Sequence, residues 1–342
     1  MELKTPNNRY SSMQMESMKR VPYLDYARLF VAYLVIFGHL YPISSQSTIR
    51  AVIYSFHIPF FFIVSGMLHK NKGSIQWKKH LKTIGIPILF FNVVFVFVNA
   101  LYGYIGVFDG YEDKSFIQLV QIYSIKGFNS IIYNGNPPSG PTWFLFVLLW
   151  CKIIMDVINV SKIKGFLLIT ILAIMGFVFK MPYLFLRNTI MVLPFFLFGS
   201  LFRYEINKYM PKFKPVYFWI AVCLIGTIML CILNGKVSTK AISFGILPLP
   251  LNVFIFYLNA FIGSLMMLLA SVVFKSRSFI TNWATSLITI LGAQPLFYLP
   301  YRALMPEGHL EFMIPVAAII FFACIAIHHF IIKYIPWALG KW

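Results

Sequence analysis

Acidic residues are scarce in this chain: 10 Asp and Glu stand against 29 Lys and Arg among 342 residues, and charged residues of both signs make up only 11%. So little charge beside 59% hydrophobic and 18% aromatic residues excludes a water-soluble globule and leaves apolar runs long enough to cross lipid. Cysteines are few as well. The four, Cys151, Cys223, Cys231 and Cys324, all fall in apolar runs, with no CxxC spacing and no His or carboxylate placed to complete a metal site, and read as small core residues. No metal site is expected. Residues 1–20 lack the apolar core and small-residue cleavage site of a signal peptide, so the first apolar segment is expected to stay as an anchor.

What remains is an all-α, polytopic membrane protein. A net charge of +19 would suggest nucleic acid in a soluble protein, but the basic residues cluster in short loops between apolar runs, as topology signals do. Membrane lipid, not nucleic acid, is the expected surrounding. At about 17 to 25 apolar residues per helix, about ten transmembrane helices are expected: 24–43, 51–68, 83–105, 142–158, 165–179, 188–202, 215–233, 251–274, 283–301 and 310–332. The fifth and sixth are the shortest. Counting Lys and Arg on alternate sides, with Lys152 of the fourth span taken with the inner loops and Arg28 inside a span, gives 20 against 8 and accounts for all 29. That imbalance puts both termini in the cytoplasm. The expected divisions are a tail over 1–22, a ten-helix domain over 23–335 with a long outer loop at 106–141, and a tail over 336–342.

Ionisable groups at membrane depth are costly and usually serve a function. Arg28 and His39 lie eleven residues apart in the first span, close to three full turns, so they share one helix face. At 1.5 Å per residue they are about 16 Å apart along the axis, with Arg28 near the cytoplasm and His39 toward the outside. The second span runs the other way and brings His57 to the depth of His39. A permanent cation at one end of this lane suits a phosphate or carboxylate, and an imidazole toward the other suits proton transfer. Coenzyme A thioesters have that anatomy. Structural readings stay open: Arg28 snorkelling at the interface with Asp25, His39 bonding a neighbouring carbonyl, His57 as a hydrogen-bonding helix-packing residue, and Trp143 in an interfacial belt. His69 and His80, in a basic inner loop, and His328 and His329, near the end of the last span, read as interfacial.

The run Tyr23-Leu24-Asp25-Tyr26-Ala27-Arg28 through Gly38-His39 resembles the first-helix signature of the membrane-bound acyltransferase 3 family, which includes integral membrane O-acyltransferases of the fucose 4-O-acetylase type. Phe56-His57-Ile58-Pro59-Phe60-Phe61-Phe62 with Ser65-Gly66 resembles its second helix, Pro141-Thr142-Trp143-Phe144-Leu145 its mid-chain element, and Pro194 to Gly199 its sixth helix. One segment departs. Where relatives place a late histidine, this chain reads Gly292-Ala293-Gln294-Pro295-Leu296-Phe297-Tyr298-Leu299-Pro300, so that histidine's role does not transfer, and Pro300 suggests a kinked helix end.

The resemblance implies transfer of an acyl group, acetyl first and succinyl second, from cytoplasmic acyl-CoA (acetyl-CoA) to a hydroxyl of a cell-envelope carbohydrate or lipid-linked glycan. The expected setting is a bacterial inner membrane. It implies His39 as general base, His57 as orienting group or oxyanion stabiliser, Arg28 with Asp25 at the cofactor's phosphates, and Trp143 stacked on a sugar. The alternative is a proton-coupled transporter or flippase for a sugar or lipid-linked sugar, with the same residues as a relay. Its expected inverted repeat is missing from the sequence.

Overall fold

The computed structural model describes residues 21–42, 47–71, 73–158, 161–178, 183–235, 247–248, 251–274, 278–306 and 309–341, so nearly all of the expected N-terminal tail lies outside the described residues. These residues form helices α1 (Pro22–Leu40), α2 (Thr48–Leu68), α3 (Trp77–Tyr104), α4 (Phe116–Ile132), α5 (Trp143–Val157), α6 (Lys162–Val178), α7 (Leu186–Tyr209), α8 (Val216–Asn234), α9 (Leu251–Val272), α10 (Ser278–Trp283), α11 (Leu287–Ala293), α12 (Pro295–Leu304) and α13 (Leu310–Tyr334). No strand occurs among the described residues. The class is all-α.

Among the described residues, eight helices are long and apolar enough to span a membrane. The other two expected spans differ for readable reasons. The fifth is α6, 17 residues long, which falls just short. The ninth is broken: α11 ends at Ala293 and α12 starts at Pro295, because proline has no N–H to continue the α11 ladder and its ring suits the first turn of a new helix. The break therefore lies at Gln294–Pro295, and Pro300, expected to mark a kinked end, sits within α12. A second proline effect is seen in α3, which widens to a π-turn over Leu81–Gly85, where Pro87 cannot donate to the carbonyl four residues back.

The outer loop is not featureless. Ser115 accepts from the Gln118 backbone and the Gln118 side chain accepts from the Ser115 N–H, a capping box that starts α4 across 116–132. Only Leu119 and Gly127 of α4 are buried, so it lies as a one-sided cover.

Two apolar clusters hold the bundle. One gathers α2, α5, α7 and α9 around Phe56, Phe60, Phe62, Phe195, Phe196 and Phe256, and the other gathers α3, α11 and α13 on α1. Lipid is as apolar as these side chains, so association rests on close fit. The tightest fit is α2 on α7: a Cβ on Gly66 would strike the Phe196 carbonyl, and one on Gly199 would strike the Ile63 carbonyl. The two glycines are reciprocal notches. Between the clusters, α1 and α2 form one wall of a cavity whose other walls come from α3, α4, α5, α11 and α12.

Candidate active site

We denote the face where α1 begins basal and the opposite face distal. The cavity has a volume of about 880 Å³, and Arg28, His39, His57 and Trp143 all line it. Asp25 does not. Its carboxylate is 2% exposed and ion-paired with Arg28 one turn on, so it orients the guanidinium from behind. The Arg28 Nε is buried and has no hydrogen-bond partner among the described residues. One donor of that fork is therefore left for whatever occupies the basal end. Lys152 lines the same end. It was counted with the inner loops in the sequence, but α5 carries it within the bundle.

The two imidazoles meet at a residue the sequence reading passed over. Tyr54, one turn before His57 on α2, has its hydroxyl 3.1 Å from His39 Nδ1, and its ring lies 4.9 Å from the His57 ring. His57 Nδ1 is 2.9 Å from the Ile53 carbonyl. A carbonyl only accepts, so Nδ1 carries the proton, and the neutral ring keeps its lone pair on Nε2. His57 thus offers the cavity an acceptor. His39 is half-buried, bonded to a hydroxyl on one side, and covered on its face by Tyr298, whose ring stacks at 5.0 Å and 11°. Tyr298 belongs to the segment that departs from the family pattern. An aromatic there fixes the first-helix histidine by stacking.

Guanidiniums stand beyond both tyrosines: Arg50 lies 5.2 Å from the Tyr54 ring and Arg302 lies 5.2 Å from the Tyr298 ring. Both line the distal part of the cavity, and the Arg302 Nε is buried without a hydrogen-bond partner among the described residues. Trp143 is set by a buried polar knot. Asn92 donates to the Thr142 hydroxyl at 3.1 Å and accepts from the Ser139 N–H at 3.3 Å, and the Ser139 hydroxyl donates to the Gly292 carbonyl at 2.7 Å. That knot ties the turn before α5 to the break after α11, so Trp143 and Tyr298 are held from one anchor. In an apolar surround such bonds cost dearly to leave unmade.

With the cavity's walls placed, the family can be assigned. Residues 21–335 match the family model described as an acyltransferase domain, nearly the whole chain. The chain belongs to the acyltransferase 3 family. No curated protein and no solved structure matches it. This is a membrane acyltransferase, and the stretches that carried the resemblance divide between two duties: Arg28, His39, His57 and Trp143 face the cavity, while Gly66 and Gly199 lock α2 to α7.

The basal histidines correct the interfacial reading. His69 and His80 are 4% and 3% exposed and converge on buried Asp156, at 3.4 and 2.6 Å. His328 is also buried, with Thr289 at 2.8 Å and Thr285 at 3.3 Å, pinning α13 to α11. Their partners lie dozens of residues away in sequence, which is why spacing could not reveal them. Burial, helped by Lys152, lowers His69 from 6.5 to about 4 against the pull of the Asp156 carboxylate. The folded state therefore resists a proton that the unfolded chain takes up near 6.5. Stability is complete above that pH and declines between 6.5 and 4, by on the order of 3 kcal/mol. Thermal melting in detergent at pH 7 and pH 4.5 should show the drop, and His69→Gln should lessen it.

Proposed function

We propose that this membrane acyltransferase moves an acyl group, acetyl or else succinyl, from acyl-CoA at the basal end of the cavity to a hydroxyl of a cell-envelope carbohydrate or lipid-linked glycan at the distal end. The basal face is cytoplasmic on this reading, the chain crosses ten times with both termini inside, and the membrane is a bacterial inner membrane. One observation carries it: a single cavity holds the under-bonded Arg28 toward one face and the Tyr54-bonded His39 toward the other. The family match lends the transporter alternative no support.

The basal residues fit a phosphorylated donor. Arg28 offers Nε, Asp25 keeps its fork in place, and Lys152 adds a second cation. His39, as general base, takes the proton of the acceptor hydroxyl at Nε2 while Nδ1 holds the Tyr54 hydroxyl. The hydroxyl oxygen bonds to the thioester carbonyl carbon, the carbon–sulfur bond breaks, and the proton passes to the thiolate to give an ester and free CoA. A neutral His57 accepts rather than donates, so we assign it the orientation of the acceptor hydroxyl instead of the oxyanion. Trp143 stacks on the sugar. Direct transfer is preferred to an acyl-enzyme because the four cysteines are buried in apolar surroundings.

Mass spectrometry of envelope glycans with and without the protein tests the reading, since the mass added identifies the acyl group and the fragment carrying it identifies the acceptor. Unchanged glycans would oppose it. Arg28→Gln should raise the KM for acetyl-CoA roughly ten- to hundredfold, as loss of a charged hydrogen bond costs about 1.5–3 kcal/mol. An unchanged KM would remove Arg28 from the donor site.

A further inference from the structure

Among the described residues lining the cavity there are five Arg and Lys side chains and no Asp or Glu. Arg28 and Lys152 belong to the basal end and answer to the donor. Arg50, Lys126 and Arg302 lie at the distal end, where the donor's phosphates have no reason to reach, and where topology signals disfavour cations. On the proposed orientation Arg50 and Arg302 are the single basic residues of their outer segments, yet both turn to this one cavity.

Their setting resembles a recognition site more than a surface. Arg50 is built into the wall, donating to the Pro42 carbonyl at 2.8 Å and lying against Tyr54, and Arg302 lies against Tyr298 with its buried Nε still without a hydrogen-bond partner among the described residues. A guanidinium laid on a ring is partly desolvated but keeps its edge donors, an arrangement suited to carboxylate or phosphate. Tyr54 and Tyr298 are also the two rings that hold His39. Each guanidinium is thus one aromatic ring from the base. Lys126 on α4, hydrogen-bonded to the Tyr111 hydroxyl at 2.8 Å, covers the same end together with Phe108 and Tyr123.

We propose that the acceptor is an anionic carbohydrate whose carboxylate or phosphate is held by Arg302 and Arg50, which sets the reacting hydroxyl beside His39. The inference rests on the acyl-transfer reading above and adds the charge of the acceptor. A uronic-type sugar and a phosphate-linked glycan share the chemistry that these guanidiniums would recognise.

The test uses the full chain in lipid nanodiscs with radiolabelled acetyl-CoA and three oligosaccharides of equal length: neutral, carboxylated and phosphate-bearing. At least one charged acceptor should show a KM tenfold or more below the neutral one, and the better of the two names the source of the charge. Arg302→Gln should raise the KM for that acceptor roughly ten- to hundredfold, and Arg302→Lys should recover part of it. The KM for acetyl-CoA should hold within twofold. If Arg302→Gln fails to accumulate, Arg50→Gln and Arg302→Lys read the same effect. Equal use of neutral and charged acceptors, or variants with unaltered acceptor KM, would overturn the proposal while leaving acyl transfer intact. No transfer to any acceptor and no consumption of acetyl-CoA would overturn the acyl-CoA reading itself, and this inference with it.

Discussion

His39→Ala should lower kcat for acyl transfer by roughly a hundredfold to ten-thousandfold, the range a positioned general base supplies. The KM for acetyl-CoA should change little, because Arg28 lies some three turns away on α1. Melting temperature should hold, since His39 is half-buried near the end of α1. Tyr54→Phe removes that hydroxyl but keeps the ring between the imidazoles, so a loss nearer tenfold is expected. Added imidazole should restore part of the activity of His39→Ala, which a merely structural histidine would not permit. Normal turnover by His39→Ala would move the base to His57, whose neutral ring also presents Nε2.

The largest effect on folding should come from Gly199→Leu. The contact at this crossing is backbone against backbone: the added side chain meets the Ile63 carbonyl, and the reciprocal change at Gly66 meets the Phe196 carbonyl. A flexible side chain could yield, but a helical carbonyl cannot without displacing α2 from α7. A cost above about 5 kcal/mol is expected, enough to prevent accumulation of folded protein. Gly226 is the control, since a Cβ there meets only the Ile262 side chain at 3.8 Å, an ordinary contact. Gly226→Ala should accumulate and melt like the parent, whereas a monodisperse Gly199→Leu with the parent's melting temperature would contradict the packing described.

The same crossing explains what was legible in the sequence. Apolar length alone marks ten spans, and eight of them are helices long and apolar enough to cross a membrane among the described residues, because lipid thickness imposes that length on each segment separately. Arg28, His39 and His57 were legible for a similar reason: an ionisable group in an apolar run is conspicuous, and helical spacing fixes its face. Features that depend on two distant segments were hidden. Tyr54 and Tyr298 look like ordinary membrane aromatics until α12 is folded against α1, and Asp156 looks like a span end until His69 and His80 arrive from beyond α2. The helix in 106–141 was present in the sequence as Ser115 and Gln118 at capping-box spacing, yet with too few apolar residues to register as a span. Lys152 lies inside the expected span 142–158, and α5 carries it within the bundle and not in an inner loop.

The central claim is that one cavity divides donor binding from chemistry along α1. Steady-state kinetics of acetyl-CoA consumption by the purified chain, compared with Arg28→Gln and His39→Ala, test it most directly. The division holds if Arg28→Gln raises the KM for acetyl-CoA with kcat nearly kept while His39→Ala lowers kcat with that KM nearly kept. It fails if the parent protein neither binds nor consumes acetyl-CoA, or if both substitutions alter the same constant.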